Sequence, residues 1–196
     1  GKAAATFVIL AGVGLSLMSQ NARQTNNLDQ IKTKRNTLLK RALFLFVVGL
    51  LYTPIWEADI LHFYGIYIAF GALLIGSASR WLIVNIILFT TVFVGLFLVL
   101  DYEQGWDWNT LAYTDFWTAE GLIRHLFFNG FHPVFPWAAF LFYGMWLGRQ
   151  DLLNTALRLR LLIGGAIIAC LAPVFAWLLR LLFADPAYGL DSTALD

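Results

Sequence analysis

An aspartate and a histidine three residues apart, Asp59 and His62, form the pair in this sequence best suited to move a proton. On a helix, a spacing of three brings two side chains to one face. A carboxylate beside an imidazole fixes its tautomer and raises its basicity, as a general base requires. The pair therefore predicts acid–base catalysis. The alternative is that Glu57 and Asp59 mark a membrane boundary and that His62 makes one interhelical hydrogen bond.

A second polar group lies between Arg124 and Trp137. Pro133 and Pro136 bracket the start of an apolar segment there, so the backbone is predicted to be irregular. Irregular backbone at membrane depth lines a cavity or is buried in protein. We therefore expect a pocket at this point; the alternative is a tight interfacial turn anchored by Trp137. The candidate residues for binding a ligand in this pocket are Glu57, Tyr64, Arg124, Asn129 and His132.

Other catalytic patterns are missing from the sequence. The three histidines have neither the H-x-x-x-H nor the H-E-x-x-H spacing of a zinc site, so no metal is expected. There is no serine nucleophile elbow and no phosphate loop. His125 is interpreted as an interfacial polar residue rather than a ligand. Glycines in apolar segments predict close helix packing, namely Gly12 and Gly14, Gly65 with Ala69, and Gly144 with Gly148.

Basic residues are the candidates for binding the phosphates of a coenzyme, since guanidinium and ammonium groups pair with phosphate. They are Lys34, Arg35, Arg41, Arg80 and Arg149. The same residues are also explained by the excess of Lys and Arg on the cytoplasmic side of membrane proteins. The sequence leaves both interpretations open.

The elements that must position these residues are membrane helices. Of the 196 residues, 60% are apolar and only 13% are charged, whereas a soluble domain carries about 25% charged residues. A soluble fold of this length has too little interior to hide so much apolar surface. The composition excludes a water-soluble or disordered chain, and the net charge of +1 excludes a broad basic surface for nucleic acid.

The predicted fold is all-α, a polytopic transmembrane helical bundle of about six spans plus one interfacial helix. A bilayer core about 30 Å thick needs roughly 20 mostly apolar residues in a helix. The candidate spans are residues 3–19, 38–56, 60–76, 81–100, 134–148 and 161–184. They form one transmembrane domain over residues 1–196, with an external loop over residues 101–133 and an external tail over residues 184–196.

The loops predict the orientation of these spans. Ten of the 13 basic residues fall on one side and ten of the 12 acids fall on the other. The basic side should be cytoplasmic, which places both chain ends outside. A first span that begins outside without a leader predicts a missing upstream helix; the alternative is a natural start at this position.

The external loop is predicted to carry a helix in the outer headgroup region. Thr114 or Asp115 would cap it, Glu120 and Arg124 would pair four residues apart, and Asn129-Gly130 would end it.

Several stretches of the chain carry a resemblance to a known family. They are residues 7–15, the basic segment leading to residues 41–45, residues 59–65, and residues 135–137 followed by 144–149. With their order and topology, the chain resembles the heparan-alpha-glucosaminide N-acetyltransferase-like membrane proteins and related bacterial multi-span families. In that family the first span and the following external loop carry the catalytic histidine, and this sequence starts just after that point. His62 and His132 are therefore candidates by depth and side alone.

The resemblance implies an integral membrane acyltransferase of the bacterial inner membrane. It would move an acetyl group from cytoplasmic acyl-CoA (acetyl-CoA) to an extracytoplasmic sugar or glycan. The lipid bilayer and the glycan would be the partners, with a homo-oligomer left open. By their own position and spacing rather than by the resemblance, His62 and Asp59 would be catalytic, and the candidate pocket residues would bind the glycan acceptor. The alternatives are a transporter or channel, which the lack of mid-span charges disfavours, and an assembly subunit.

Overall fold

The computed structural model describes residues 2–183 and is almost entirely helical. Four helices come first and are followed by one short hairpin: α1 (Lys2–Gln24), α2 (Leu28–Tyr52), α3 (Leu61–Leu74), α4 (Ser79–Val99), and then strands β1 (Trp106–Asp107) and β2 (Ala112–Tyr113). They are followed by α5 (Ala119–Arg124), a π-helical turn (His125–Asn129), α6 (Val134–Leu147) and α7 (Thr155–Phe183). The predicted all-α class is confirmed.

Within residues 2–183, three helical segments are long and apolar enough to cross a membrane: Lys2–Gln24, Ser79–Val99 and Thr155–Val174. Helices α3 and α6 are apolar but have 14 residues each, about 21 Å of rise against a core of about 30 Å. Helix α2 is long enough, but its first half carries five basic residues from Lys32 to Arg41. The six-span arrangement therefore stays a prediction.

Two compact units divide the chain at Gln150. In the first, α2 packs along α3, and α6 packs along both α1 and α4. Its core is built from fully buried side chains of these helices, such as Val8, Phe63, Tyr67, Leu141 and Phe142. In the second, α7 runs from Thr155 to Phe183 with Pro173 inside it. The predicted external tail, residues 184–196, lies outside the described residues.

Close helix crossings depend on glycine, as the sequence predicted. A Cβ at Gly12 of α1 would overlap the Leu141 carbonyl oxygen of α6, and one at Gly144 of α6 would overlap the Ile9 carbonyl oxygen of α1. Gly14, by contrast, faces open space. Gly12 and Gly144 therefore set the α1–α6 distance, and Gly14 does not.

The external loop differs in detail from its prediction. β1 and β2 pair antiparallel, with Trp106 opposite Tyr113. Thr118, rather than Thr114 or Asp115, caps the following helix by accepting a hydrogen bond from the Gly121 amide at 3.0 Å. That helix has only six residues before it opens into the π-helical turn. The predicted Glu120–Arg124 pair is present at 3.2 Å, and the predicted end at Asn129-Gly130 is confirmed.

The start of α6 has the irregular backbone that its prolines predicted. Phe135 has φ −95° and ψ 117°, outside the helical region, between Val134 and Pro136. Pro133 precedes the helix in an extended conformation. His132 lies in the irregular segment between the π-helical turn and α6.

Candidate functional site

Asp59 and His62 meet at the start of α3. Nδ1 of His62 lies 3.2 Å from Oδ2 of Asp59. The His62 side chain is fully buried and the Asp59 side chain is 6% exposed. A carboxylate can only accept from Nδ1, so the proton sits on Nδ1 and the lone pair on Nε2. Within residues 2–183, Nε2 is buried and has no hydrogen-bond partner.

The Asp59 carboxylate also begins the helix that carries His62. Its Oδ2 accepts hydrogen bonds from the Leu61 amide at 2.9 Å and from the His62 amide at 3.4 Å. These amides belong to the first turn of α3, which has no intrahelical acceptors for them. Gly49 of α2 lets the helices touch here, because a Cβ at Gly49 would lie 2.8 Å from Cα of His62. The backbone of His62 therefore lies against α2, and its imidazole lies against Asp59.

His125 completes the histidine group, although the sequence favoured an interfacial role for it. Its ring is 1% exposed and stacks on His62 with centroids 5.9 Å apart and planes 29° apart. Its Nδ1 is likewise buried without a hydrogen-bond partner in the described part of the chain. The sequence contained one indication of this grouping, since all three histidines fall on the predicted external side.

A π-helical turn presents His125. Such turns insert one extra residue into a helix and are frequent at functional sites. Here the turn runs from His125 to Asn129, and the Gly130 amide donates to the His125 carbonyl at 3.0 Å. Gly130 also lies against the His125 ring and the Phe63 ring. The turn thus brings His125 beside α3.

A small polar cavity adjoins the histidines. It encloses about 80 Å³ and is lined by Thr53, Pro54, Glu57, Tyr113, Phe116, Trp117, His125 and Phe131. This volume corresponds to roughly two or three water molecules. His125 forms part of its wall, and His62 is the ring stacked on His125. The predicted acceptor residue Glu57 is exposed and belongs to this wall.

Asn129 and Arg124 are buried in a hydrogen-bond network of the external loop. The Tyr113 hydroxyl donates to Oδ1 of Asn129 at 2.8 Å, and Nε of Arg124 donates to the Tyr113 hydroxyl at 2.8 Å. Nδ2 of Asn129 donates to the carbonyls of Tyr102 and Gln104 at 2.9 and 2.8 Å. Arg124 also pairs with Asp115. Both predicted residues therefore position the loop around the cavity.

Two other predicted residues, Tyr64 and His132, lie near His62 and His125 but contact other parts of the chain. The Tyr64 hydroxyl donates to the Phe7 carbonyl of α1 at 2.7 Å. His132 is half-buried, with its ring against Trp137 at 4.6 Å and against Phe63 at 6.1 Å. The Tyr67 hydroxyl donates to the His132 carbonyl. Phe63 thus contacts all three histidines, since it also lies 4.1 Å from His62 and 5.3 Å from His125.

Burial keeps the loop histidines neutral. It lowers the pKa of His125 to about 3, with the neighbouring His62 acting in the same direction. Burial also lowers the pKa of His132 to about 4. Neutral imidazoles each retain one acceptor nitrogen at physiological pH.

The basic residues proposed for a coenzyme lie at the other end of the helices. Lys34, Arg41 and Arg80 are exposed and Arg35 is half-buried. Arg149 instead donates to the carbonyls of Ser77 at 2.7 Å and Leu74 at 3.2 Å, at the carboxyl end of α3. A guanidinium there satisfies orphan carbonyls and complements the helix dipole. The role of the five residues in coenzyme binding stays a prediction.

No group of three His, Cys, Asp or Glu side chains within the described residues could hold a metal ion. Asp59 with His62 and the stacked His125 are instead suited to acid–base catalysis.

Most of the chain is similar to a known protein family. Residues 1–178 match the family model described as heparan-alpha-glucosaminide N-acetyltransferase, catalytic. Neither a curated protein nor a solved structure matches the chain.

Proposed function

The chain belongs to the heparan-alpha-glucosaminide N-acetyltransferase catalytic family, and from this premise we propose what it does in the membrane. It transfers an acetyl group from cytoplasmic acetyl-CoA to a sugar or glycan outside. His62 is the general base, and Asp59 holds it in the reactive tautomer. The observation that carries this proposal is the buried Nε2 of His62, which has no hydrogen-bond partner within residues 2–183, on a ring whose Nδ1 lies against a carboxylate.

In this mechanism the acceptor places one hydroxyl or amine in the polar cavity beside His125. Its oxygen or nitrogen attacks the thioester carbonyl carbon while Nε2 of His62 takes its proton. The carbon–sulfur bond breaks, and the departing thiolate receives that proton as CoA leaves. His62 does not line the cavity, and its ring centroid lies 5.9 Å from that of His125 in the wall, so the proton would reach Nε2 across one water, as a general base can act.

The basic residues supply the donor side of the proposal. Gly49 of α2 lies against His62 and marks the level of the histidine on that helix. Arg41 lies eight residues before Gly49, and Lys34 lies fifteen residues before it. At 1.5 Å per residue, these side chains start roughly 12 and 22 Å from the histidine along the helix. Lys34, Arg35, Arg41 and Arg80 would hold the phosphates of the coenzyme, with Arg149 beside them. Both chain ends and the acceptor would lie on the external side of a bacterial inner membrane.

The test is His62→Ala in the full-length protein, assayed with labelled acetyl-CoA and a sugar acceptor. We expect transfer to fall by roughly a hundredfold or more, as removal of a general base does, with expression unchanged. His132→Ala is the matched control for loss of a nearby histidine, and it should retain more activity. Unchanged turnover in His62→Ala would overturn the assignment.

A further inference from the structure

A second, much larger cavity lies beside α3 beyond His62, toward the carboxyl end of that helix. It is a groove of about 510 Å³ between α2, α3 and the π-helical turn, which we call the tail groove. Its walls come from one face of α2, one face of α3 and the π-helical turn, namely Leu39, Ala42, Leu43, Phe46, Gly65, Ile66, Ala69, Phe70, Leu73, Leu126 and Phe127. Every lining side chain is hydrocarbon or glycine. Leu43 and Leu73 at its rim are 63% and 60% exposed.

The tail groove has the dimensions of a ligand site, and the polar cavity does not. Pockets for small molecules enclose about 300–1,000 Å³, a range that includes the groove's 510 Å³. The 80 Å³ polar cavity has room for one reacting group but not for a sugar ring. The energy that binds the acceptor must therefore come from outside that cavity, and remote binding energy of this kind is a normal contribution to catalysis.

The groove begins about one helical turn from the histidines of the candidate site. Leu126 and Phe127 follow His125 directly on the π-helical turn. Gly65 and Ile66 follow His62 by one turn of α3, and the groove continues to Leu73, about 12 Å further along the helix. A hydrocarbon chain lying in the groove would thus have its upper end beside the two histidines.

Charge complementarity selects among lipids. The polar cavity is lined by Glu57, Thr53, Tyr113 and His125 and by no Lys or Arg side chain of the described residues. Such a wall suits a neutral hydroxyl or an amine, whereas the phosphate of a phospholipid would meet Glu57 without a cation. The head group that fits is therefore an uncharged or amino sugar.

We propose that the tail groove binds the hydrocarbon tail of a lipid-anchored sugar, whose hydroxyl or amine then lies in the polar cavity. This substrate class rests on the proposed function, which it narrows from any glycan to a glycolipid. A tail in the groove would hold the acceptor at the membrane surface, and water-soluble sugars would be poor substrates.

The first experiment measures binding without activity. The full-length protein in detergent is photolysed with a dodecyl glucoside that carries a diazirine in its tail. We expect crosslinks to peptides of α2 and α3 around the groove. Ala69→Trp, which fills the groove, should reduce them about tenfold. The matched control is Gly95→Trp on α4, where a side chain meets no atom within 4 Å, and it should leave them unchanged.

Phosphatidylglycerol at equal mole fraction serves as the competitor in this experiment. It should fail to displace the glucoside. Displacement by the phospholipid, or equal crosslinking in Ala69→Trp, would overturn the proposal and make the groove a site for bulk lipid. Thermal unfolding of each variant checks its folding, and Leu73→Trp at the rim replaces Ala69→Trp if that variant does not fold.

The second experiment uses acetyl transfer to butyl, octyl and dodecyl glucosides. Burial of one methylene corresponds to about a fourfold gain in kcat/KM, so the wild type should improve steeply from butyl to octyl. Ala69→Trp should lose the gain in kcat/KM with tail length, so that its octyl and butyl glucosides react about equally. Equal kcat/KM across the series in an active wild type would refute the groove's role. Absence of transfer to every glucoside would instead count against the acetyltransferase mechanism, and the crosslinking result would still decide whether the groove binds the tail.

Discussion

At the scale of single residues, the Asp59 carboxylate has two functions that its neighbours allow us to separate. It accepts hydrogen bonds from two amides of the first turn of α3, and it contacts Nδ1 of His62. The first function needs only an acceptor oxygen, whereas the second needs a negative charge that fixes the tautomer and stabilises the protonated ring.

Asp59→Asn and Asp59→Ala separate these functions. Asparagine keeps an acceptor oxygen for the amides, so its thermal unfolding should match the wild type, but acetyl transfer should fall by roughly a hundredfold. Alanine should lose activity and also about 1 kcal/mol of stability. Asp101→Asn, at an exposed acid of the loop that follows α4, is the control. Full activity in Asp59→Asn would show that the carboxylate acts only as a cap.

The pKa of His125 predicts a pH dependence of stability. The folded value is about 3 and the ordinary value is 6.5, so between these values the unfolded chain binds the proton more readily. Stability should therefore be complete above about pH 6.5 and should fall as the pH drops toward 3, by on the order of a few kcal/mol. His125→Phe should flatten this slope. Thermal unfolding in detergent between pH 4 and 7 measures it, and an equal slope in the variant would contradict the prediction.

At the scale of elements, the sequence predicted local patterns and missed contacts made across the chain. The spacing of Asp59 and His62 was sufficient to predict their pairing. The stacking of His62 on His125 joins residues 63 positions apart, and no periodicity encodes it. The helix cap was placed at Thr114 or Asp115 rather than Thr118 because all three are good capping residues, and only the β1–β2 hairpin decides among them.

For the predicted acceptor-binding residues too, the sequence indicated the segment but not its contacts with distant parts of the chain. Their segment was identified from its prolines and polar side chains, and the structure does place it around a cavity. Asn129 and Arg124 form their hydrogen bonds within the loop, with Tyr102, Gln104 and Tyr113. The sequence could not predict these partners, because they lie 11 to 27 residues away along the chain.

The α1–α6 crossing allows a test at this scale with two residues of one helix. Gly12→Ala should be destabilising by about 1–3 kcal/mol, since its Cβ would overlap backbone atoms of α6. Gly14→Ala should be neutral or slightly stabilising, because its Cβ meets open space and alanine favours the helix. Thermal unfolding in detergent compares the pair. Equal unfolding temperatures would contradict the crossing.

At the scale of the whole molecule, the chain carries an apolar surface of the kind that a bilayer covers. Large apolar side chains are exposed along the outer faces of several helices, such as Phe7 of α1 at 66%, Leu98 of α4 at 79% and Leu162 of α7 at 70%. Soluble monomers rarely expose such continuous surface. The polar ends differ in sign, with basic residues at the α1–α2 turn and acids in the external loop, so the charge distribution predicts one orientation.

Cysteine labelling in whole cells tests this orientation. In a Cys170→Ser background, which removes the single native cysteine, Thr110→Cys in the external loop should react with a membrane-impermeant maleimide. Thr25→Cys between α1 and α2 should react only after the cells are opened. Both threonines are exposed, so accessibility within the protein is matched. The reverse pattern would invert the molecule in the membrane.

The size of the polar cavity has a consequence for the fate of the donor. An acetyl thioester brought to His62 is exposed to the two or three waters that 80 Å³ can hold, and the acceptor's hydroxyl or amine displaces those waters when it binds. Futile hydrolysis should therefore compete with transfer only when the acceptor is absent. The small volume of the cavity would then be enough to couple use of the donor to binding of the acceptor. Phe116→Ala, which enlarges the cavity, should therefore convert part of the transferase activity into thioesterase activity.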